Sequence, residues 1–423
     1  MLTMPVSPNQ THDPMPTSSV MPVLLALYIA QGLPSGLFAH ALPVFWRQAG
    51  VDLAWIGALK LLALPWVLKA LWAPMVDRRL QHGSPPGRWV GVLQLTAALL
   101  LATLAIYGIA PSGPGIAPVL MLILAINLLL ATQDIVTDGL AVRALPARWR
   151  GYANTLQVAG YKVGMLAGGA LLLVLADVLP TTQAVLMPAL LLVVLFLAIR
   201  NGQLLTQPVP RQDSESGWRA GLLGLVSMPG MVTWLALMAS YKVADALGSG
   251  MIRPLLTDGG WSRAAIGEFT LWTSLVGLLG AALGGWLYQM LGSRRSLLAA
   301  GLAQAVTIAG WALVDQACAD PLRVYTIGML EQLADGASTV ALFAVMMSLC
   351  RRGWEGTDFT VQASLQVVAA GLFGVAGGLV AEVAGYSTLM LIAGGCGGVA
   401  VVALAVSGRR LDQLPAGQSA PDQ

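Results

Sequence analysis

Apolar stretches of membrane-spanning length recur along the whole chain, separated by short polar segments. They lie near residues 20–44, 53–76, 89–110, 117–142, 152–177 and 181–200. A second set lies near 228–255, 263–290, 296–315, 322–349, 358–383 and 386–408. A helix needs ~20 apolar residues to cross ~30 Å of hydrocarbon, so each stretch predicts one crossing. The longest polar interruption runs from Asn201 to Arg219 and holds Asp213, Ser214, Glu215 and Ser216. It divides the spans six and six. The pattern therefore predicts an all-α polytopic membrane protein of twelve transmembrane helices in two pseudo-symmetric six-helix bundles. The expected divisions are a disordered tail at 1–19, a first bundle at 20–200, a central loop at 201–227, a second bundle at 228–408 and a tail at 409–423.

The arginines orient this pattern. With the N-terminal tail in the cytoplasm, the inside segments hold Arg78, Arg79, Arg88, Arg143, Arg148, Arg150, Arg200, Arg211, Arg219, Arg294, Arg295, Arg351, Arg352, Arg409 and Arg410, whereas the outside loops hold only Arg47, Arg253, Arg263 and Arg323. Basic residues near span ends favour the cytoplasm, so both termini are expected there, in a bacterial inner membrane. The segment Met1–Val20 has no Lys or Arg and lacks the basic region of a cleavable signal, so the first helix is expected to act as the signal anchor.

Composition agrees with the pattern. Of the 423 residues, 57% are hydrophobic and 10% charged, far below the roughly 25% charge of soluble domains. Cys318, Cys350 and Cys396 are far apart and His12, His40 and His82 are scattered, so no metal or redox spacing exists and no cofactor is expected. No HExxH, GxSxG or P-loop pattern occurs, so nothing points to direct use of ATP or to nucleic acid.

All four lysines, Lys60, Lys69, Lys162 and Lys242, fall inside spans. A lysine at mid-helix costs at least ~2.5–3.5 kcal/mol, so each needs a partner or water. The fourth span carries Gln133, Asp134 and Asp138; the tenth carries Glu331 and Asp335. In both, two acids four residues apart share a helix face, and Gly follows the second. In the seventh span, Lys242 and Asp245 lie three apart, and Lys162 lies mid-way along the fifth beside Tyr161. Gln31 and His40 lie on the first span with Gly32 and Pro34 between them, which predicts a bent, locally unwound helix there. Two readings of the charges stand: internal ion pairs such as Lys242–Asp245 or Asp138–Lys162 that hold helices together, or groups that bind cargo and protons.

The halves also repeat: Tyr28, Ser35-Gly36 and Ile56-Gly57 recur as Tyr241, Ser249-Gly250 and Ile266-Gly267. The segments Trp72-Ala73-Pro74-Met75-Val76-Asp77-Arg78-Arg79 and Gly284-Gly285-Trp286 through Gly292-Ser293-Arg294-Arg295 resemble, in part, the signature cytoplasmic loop of the major facilitator superfamily. In that superfamily spans one, four, seven and ten line a central cavity, and the loop locks neighbouring helices. The resemblance thus implies a gating role for Asp77, Arg78, Arg79, Arg294 and Arg295. With the cost of keeping charged and polar groups inside spans, the candidate substrate- and proton-binding set is Asp134, Asp138, Lys162, Lys242, Asp245, Glu331, Asp335, Gln31, Gln133 and Tyr161.

From about residue 24 to 408, Gln133-Asp134-Ile135, Arg150-Gly151, Gly160-Tyr161-Lys162-Val163-Gly164, Tyr241-Lys242-Val243-Ala244-Asp245 and Leu68-Lys69-Ala70 resemble the AmpG-like permeases, importers of anhydro-muropeptides. Leu62-Ala63-Leu64-Pro65-Trp66 and Gly356-Thr357-Asp358-Phe359 lean toward the RhtX/FptX-type siderophore permeases. The reading placed first is a monomeric, proton-coupled importer of an iron–siderophore complex, driven by alternating access. A muropeptide permease is the alternative; an intramembrane enzyme and a transporter-like sensor without flux are remote rivals.

Overall fold

Helix forms wherever the chain is apolar, because hydrocarbon leaves the backbone no other partner. The computed structural model describes residues 20–51, 64–108, 115–146, 149–209, 218–314 and 320–411, together with Trp55, Leu59 and Leu62. Among these described residues, eight helices are long and apolar enough to cross a bilayer: Val20–Gln48, Pro86–Tyr107, Ala117–Ala144, Arg150–Ala176, Thr181–Ile199, Ala265–Leu313, Glu355–Ala384 and Tyr386–Ser407. No strand occurs among the described residues.

The remaining crossings are masked by charge or by breaks. A straight helix as long as Ala265–Leu313 would run roughly 70 Å, over twice the hydrocarbon thickness. Gly292 divides it, with φ 74° and ψ 176°, so the eighth and ninth spans join at a single residue. The tenth span, Pro321–Ser348, contains Arg323, Glu331 and Asp335, which lower its hydropathy. The seventh is broken into Met231–Tyr241, Val243–Gly248, Ser249–Met251 and Ile252–Asp258. The second is described as Leu64–Leu68, Lys69–Leu71 and Ala73–Gln81, and Lys60 lies outside the described residues. So does the 1–19 tail. A helix, Trp218–Val226, occupies the end of the segment expected to be loop.

The interior shows how the halves meet. One apolar core draws on both: Leu24, Tyr28, Ala141, Val142 and Ala153 pack with Trp234, Tyr241, Tyr288, Val345 and Phe359. At the opposite end the cores separate. One contains only first-half residues such as Leu33, Trp46, Leu101 and Ile123. The other contains only second-half residues such as Leu247, Phe269, Trp311 and Met390. Among the described residues the bundle is therefore packed shut at one end and parted at the other.

Within the first half, the first and fifth spans pack backbone to backbone. A β-carbon on Gly32 would run into the Tyr161 carbonyl, and one on Gly164 into that of Ile29. Lipid tails give helices no hydrophobic reason to associate, so such close approach supplies the dispersion contact instead. This corrects the expectation of an unwound first span. Val20–Gly36 is continuous helix through Gly32 and Pro34, followed by a widened turn at Leu37–Ala41. Its glycines serve contact, not bending. The broken helix is the seventh, where Lys242 leaves helical geometry with φ −94° and ψ 17°.

Candidate functional site: buried charges around a cavity open at one end

At the closed end, Asp77 terminates the second span with its side chain wholly buried. Its Oδ1 accepts a hydrogen bond from Arg143 Nη2 at 2.7 Å. Its Oδ2 accepts from the Thr357 backbone N–H and hydroxyl, both at 2.7 Å, in the first turn of the eleventh span. The Arg143 Nε in turn donates to Glu355 Oε2 at 2.8 Å, and Gln81 Nε2 donates to the Gly353 carbonyl. A carboxylate at a helix N-terminus meets unpaired N–H groups and the positive end of the dipole. Asp77 is thus a first-half anion capping a second-half helix, with Arg143 bridging both. Close by, Arg351 clasps Asp358 through Nη2 at 2.6 Å and Nε at 2.8 Å.

The expected gating set divides. Asp77 takes Arg143 as its partner rather than either neighbouring arginine. Arg78, Arg79 and Arg295 are exposed, and their guanidinium groups have no partner among the described residues. Arg294 donates to the Ala405 carbonyl at 2.7 Å and so ties the ninth span to the twelfth, inside one half. The partial second copy of the loop motif lacks the acid at the corresponding place.

Deeper in, among the described residues, each half holds a buried lysine paired with carboxylate. Lys69 pairs with Asp134, both side chains 6% exposed. Trp66 lies against the ammonium, 5.6 Å from ring centroid to Nζ. Gln133 Nε2 donates to Gln94 Oε1 at 2.9 Å. In the second half, Lys242 Nζ lies 2.5 Å from Asp335 Oδ1, 2.9 Å from Gln304 Oε1 and 3.0 Å from Ser338 Oγ. Asp245, the neighbour expected from sequence, is 3.9 Å away. The helix break at Lys242 turns its ammonium toward the ninth and tenth spans, so the expected ion pair with Asp245 forms but is the longer of the two. Asp138–Lys162, the other suggested pair, does not form. Asp138 accepts from Tyr28 Oη at 3.2 Å and Gln157 Nε2 at 3.1 Å.

The two halves use different members of their paired acids. In the fourth span the first acid, Asp134, takes the lysine; in the tenth the second, Asp335, does. Asp138 and Glu331 are left without a lysine partner, and Asp138 also lies within hydrogen-bond reach of the Asp134 carboxyl. Glu331 is 1% exposed; its Oε2 accepts from Gln332 Nε2 at 3.1 Å, and its Oε1 has no partner. Lys162 also has no hydrogen-bond partner among the described residues. It reaches from the fifth span toward Gly277 of the eighth, where a β-carbon would stand 3.3 Å from its Nζ and 3.2 Å from Gln332 Oε1. Tyr161 is hydrogen-bonded to Ser35. Gln31 is buried with its Nε2 unpartnered, and His40 is exposed at the parted end.

Several participants lie outside the expected set: Lys69, Gln94, Arg143, Gln304, Ser338, Glu355 and Thr357. Gln94 and Gln304 had a readable signal, since each is an isolated amide in the apolar run of the third or ninth span. Arg143 and Glu355 had none, because they meet across 212 residues.

A family profile described as Acetyl-coenzyme A transporter 1 matches residues 20–111. The anhydromuropeptide permease of Escherichia coli (strain K12) is 32% identical over 379 residues, which is 87% of this chain and 76% of the relative. The chain belongs to the anhydromuropeptide permease family. The fold likeness extends further at low identity. The crystal structure of the human organic anion transporter MFSD10 (TETRAN) superposes with a TM-score of 0.68 at 17% identity, over 93% of this chain and all of that one. A bacterial homologue of the iron transporter ferroportin, in an outward-facing state, gives 0.68 at 15% over 92% of this chain and 99% of that one. This member of the permease family therefore has the major facilitator fold. It is a multi-pass membrane transporter of a small molecule, and the proteins it resembles are transporters, not enzymes.

Proposed function

We propose that the protein imports an anhydro-muropeptide-type molecule, a sugar carrying a short peptide, across the inner membrane by proton-coupled alternating access. The observation that carries this reading is the 32% identity to the Escherichia coli permease across 87% of the chain. It reverses the order given by sequence alone, in which the siderophore stood first. The chemistry of the cavity is compatible. Lys162 is an ammonium with no hydrogen-bond partner among the described residues, placed where a peptide carboxylate can reach it. The arginine bias supports a cytoplasmic closed end, which leaves the cavity open to the periplasm, a state from which an importer can load cargo.

Energy coupling falls to the acids without a lysine partner. A carboxylate paired with lysine keeps its charge, because protonating it strands the ammonium. A buried acid held by neutral donors has no such tether and can load and release a proton. Asp138 is the carrier proposed here. The paired Asp134 and Asp335 and the gate at Asp77 are architecture, and the working unit is a single chain.

The test is uptake of radiolabelled anhydro-muropeptide into proteoliposomes with an inward proton gradient. Accumulation that collapses with a protonophore is expected. Uptake of a ferric siderophore with no uptake of muropeptide would restore the first sequence reading, and binding of either without flux would make the protein a sensor.

A further inference from the structure

Beside Lys162, a second feature of the parted end has no role in the fold. A cavity of about 290 Å³ lies in the second half between the seventh, eighth and tenth spans, and Glu331 and Gln332 form its floor. Its volume is at the lower edge of the range for small-molecule sites. The Oε1 of Glu331 is unpartnered inside the protein although the residue is only 1% exposed. Native structures rarely leave a buried carboxylate oxygen unsatisfied without a ligand to take it.

The rest of the lining says which ligand. Thr270 hydroxyl donates to the Ile266 carbonyl at 2.8 Å, so it turns only lone pairs to the cavity. Thr270 and Glu331 together make a wall of acceptors, which suits a ligand rich in O–H and N–H donors. Phe269 lines the cavity but is only 5% exposed, so it closes the wall rather than offering an open face. Its ring is fixed by Tyr325, Trp311 and Trp261, with centroids 5.5, 6.1 and 6.3 Å away. Arg253 also lines the cavity, and its positive charge disfavours an ammonium as the occupant. Lys162 is not among the lining residues; its Nζ and Gln332 Oε1 both approach Gly277. The cation and the acid are held apart rather than paired.

We infer that the Glu331–Gln332 cavity is a sugar subsite, taking a pyranose ring with hydroxyl and acetamido groups, and that Lys162 takes the carboxylate of the attached peptide. This rests on the muropeptide reading above and adds which end of the cargo goes where. The sugar is read by the second half and the peptide by the first, so one molecule bridges the two bodies whose relative motion carries it. Acceptors on Glu331 and Thr270 receive the ring's O–H and acetamido N–H.

The experiment is calorimetric binding to the full-length protein in detergent, with thermal melting of every variant. The probes are anhydro-disaccharide tripeptide, the same compound with its peptide carboxylates amidated, and the free tripeptide. Wild type should bind the first about tenfold more tightly than the second, the equivalent of one lost charged contact. Lys162→Met should bind both alike. Glu331→Gln and Thr270→Val should each weaken the two sugar-bearing probes by about tenfold and leave the tripeptide unchanged. If wild type binds the tripeptide compound but Lys162→Met still discriminates, or Glu331→Gln and Thr270→Val bind as wild type, the subsite assignment fails and the cargo reading stands. If acetylating the peptide amine erases the Glu331→Gln effect, the cavity holds an ammonium and the assignment fails. If wild type binds no muropeptide, the cargo reading itself fails and takes the subsite with it.

Discussion

Lys242 Nζ lies 2.5 Å from Asp335 Oδ1 on the tenth span, whereas Asp245, three residues further along its own span, is 3.9 Å away. The pair is therefore a strut between helices. Removing one partner of a buried pair typically costs ~3–5 kcal/mol, because the other charge is stranded. Asp335 keeps a quarter of its side chain exposed, which argues for the lower part of that range. Lys242→Met should lower the melting temperature of the purified protein, and adding Asp335→Asn should recover most of the loss. Adding Asp245→Asn instead should recover little. Equal rescue by both would mean that Lys242 is shared and the strut is not specific.

How much of this was legible in the sequence depends on range. The spans were readable because hydrocarbon enforces apolar length on each. The seventh and tenth spans were readable too, although their breaks and charges hide them from a hydropathy window. Which acid pairs with which lysine was not readable. Helical spacing favours Lys242–Asp245, and only the break at Lys242, set by packing, redirects the ammonium. The closed-end latch was legible as to Asp77, but its partner Arg143 lies 66 residues on, at the far end of the fourth span. No local signal joins them.

The Asp77 latch holds the halves together at one end. Asp77→Asn keeps its size but loses the charge that attracts Arg143 and the N-terminus of the eleventh span. Hydrogen bonds to charged groups contribute about 1.5–3 kcal/mol each, so the closed arrangement should become a minor state. Spin labels at Arg78→Cys and Arg352→Cys, in a background without native cysteines, should report a longer, broader distance distribution. A distribution matching that of the unsubstituted latch would show that the shared apolar core alone closes this end.

Glycines that look alike in sequence should behave differently according to what they touch. Gly32 packs inside the first half, against the Tyr161 backbone, and Gly151 packs across the halves, with the Gly285 carbonyl 2.6 Å from where a β-carbon would stand. Overpacking costs ~1–3 kcal/mol or more where backbone must move. Gly32→Val has no way to relax except by parting the first and fifth spans, so it should express poorly and melt early. Gly151→Val can relax by opening the closed end. It should melt near wild type while its labelled closed end separates. Equal loss of stability in both would mean that the halves are too tightly joined to move apart there.

Asp138 tests the coupling. Its Oδ1 accepts from Tyr28 and Gln157, both neutral, so Asp138→Asn can keep both hydrogen bonds through its amide oxygen and mimic the proton-loaded acid. The fold should survive, and so should cargo exchange, since a permanently neutral carrier can still alternate with substrate bound. Net accumulation against a gradient should vanish, because no proton is carried or released. Asp134→Asn makes the contrasting case. It removes the carboxylate that Lys69 bonds, so its defect should appear first as lost thermal stability. The comparison is made in proteoliposomes, with gradient-driven uptake and counterflow measured on the same preparations. Full accumulation by Asp138→Asn, or wild-type accumulation that a protonophore leaves intact, would remove Asp138 from the mechanism.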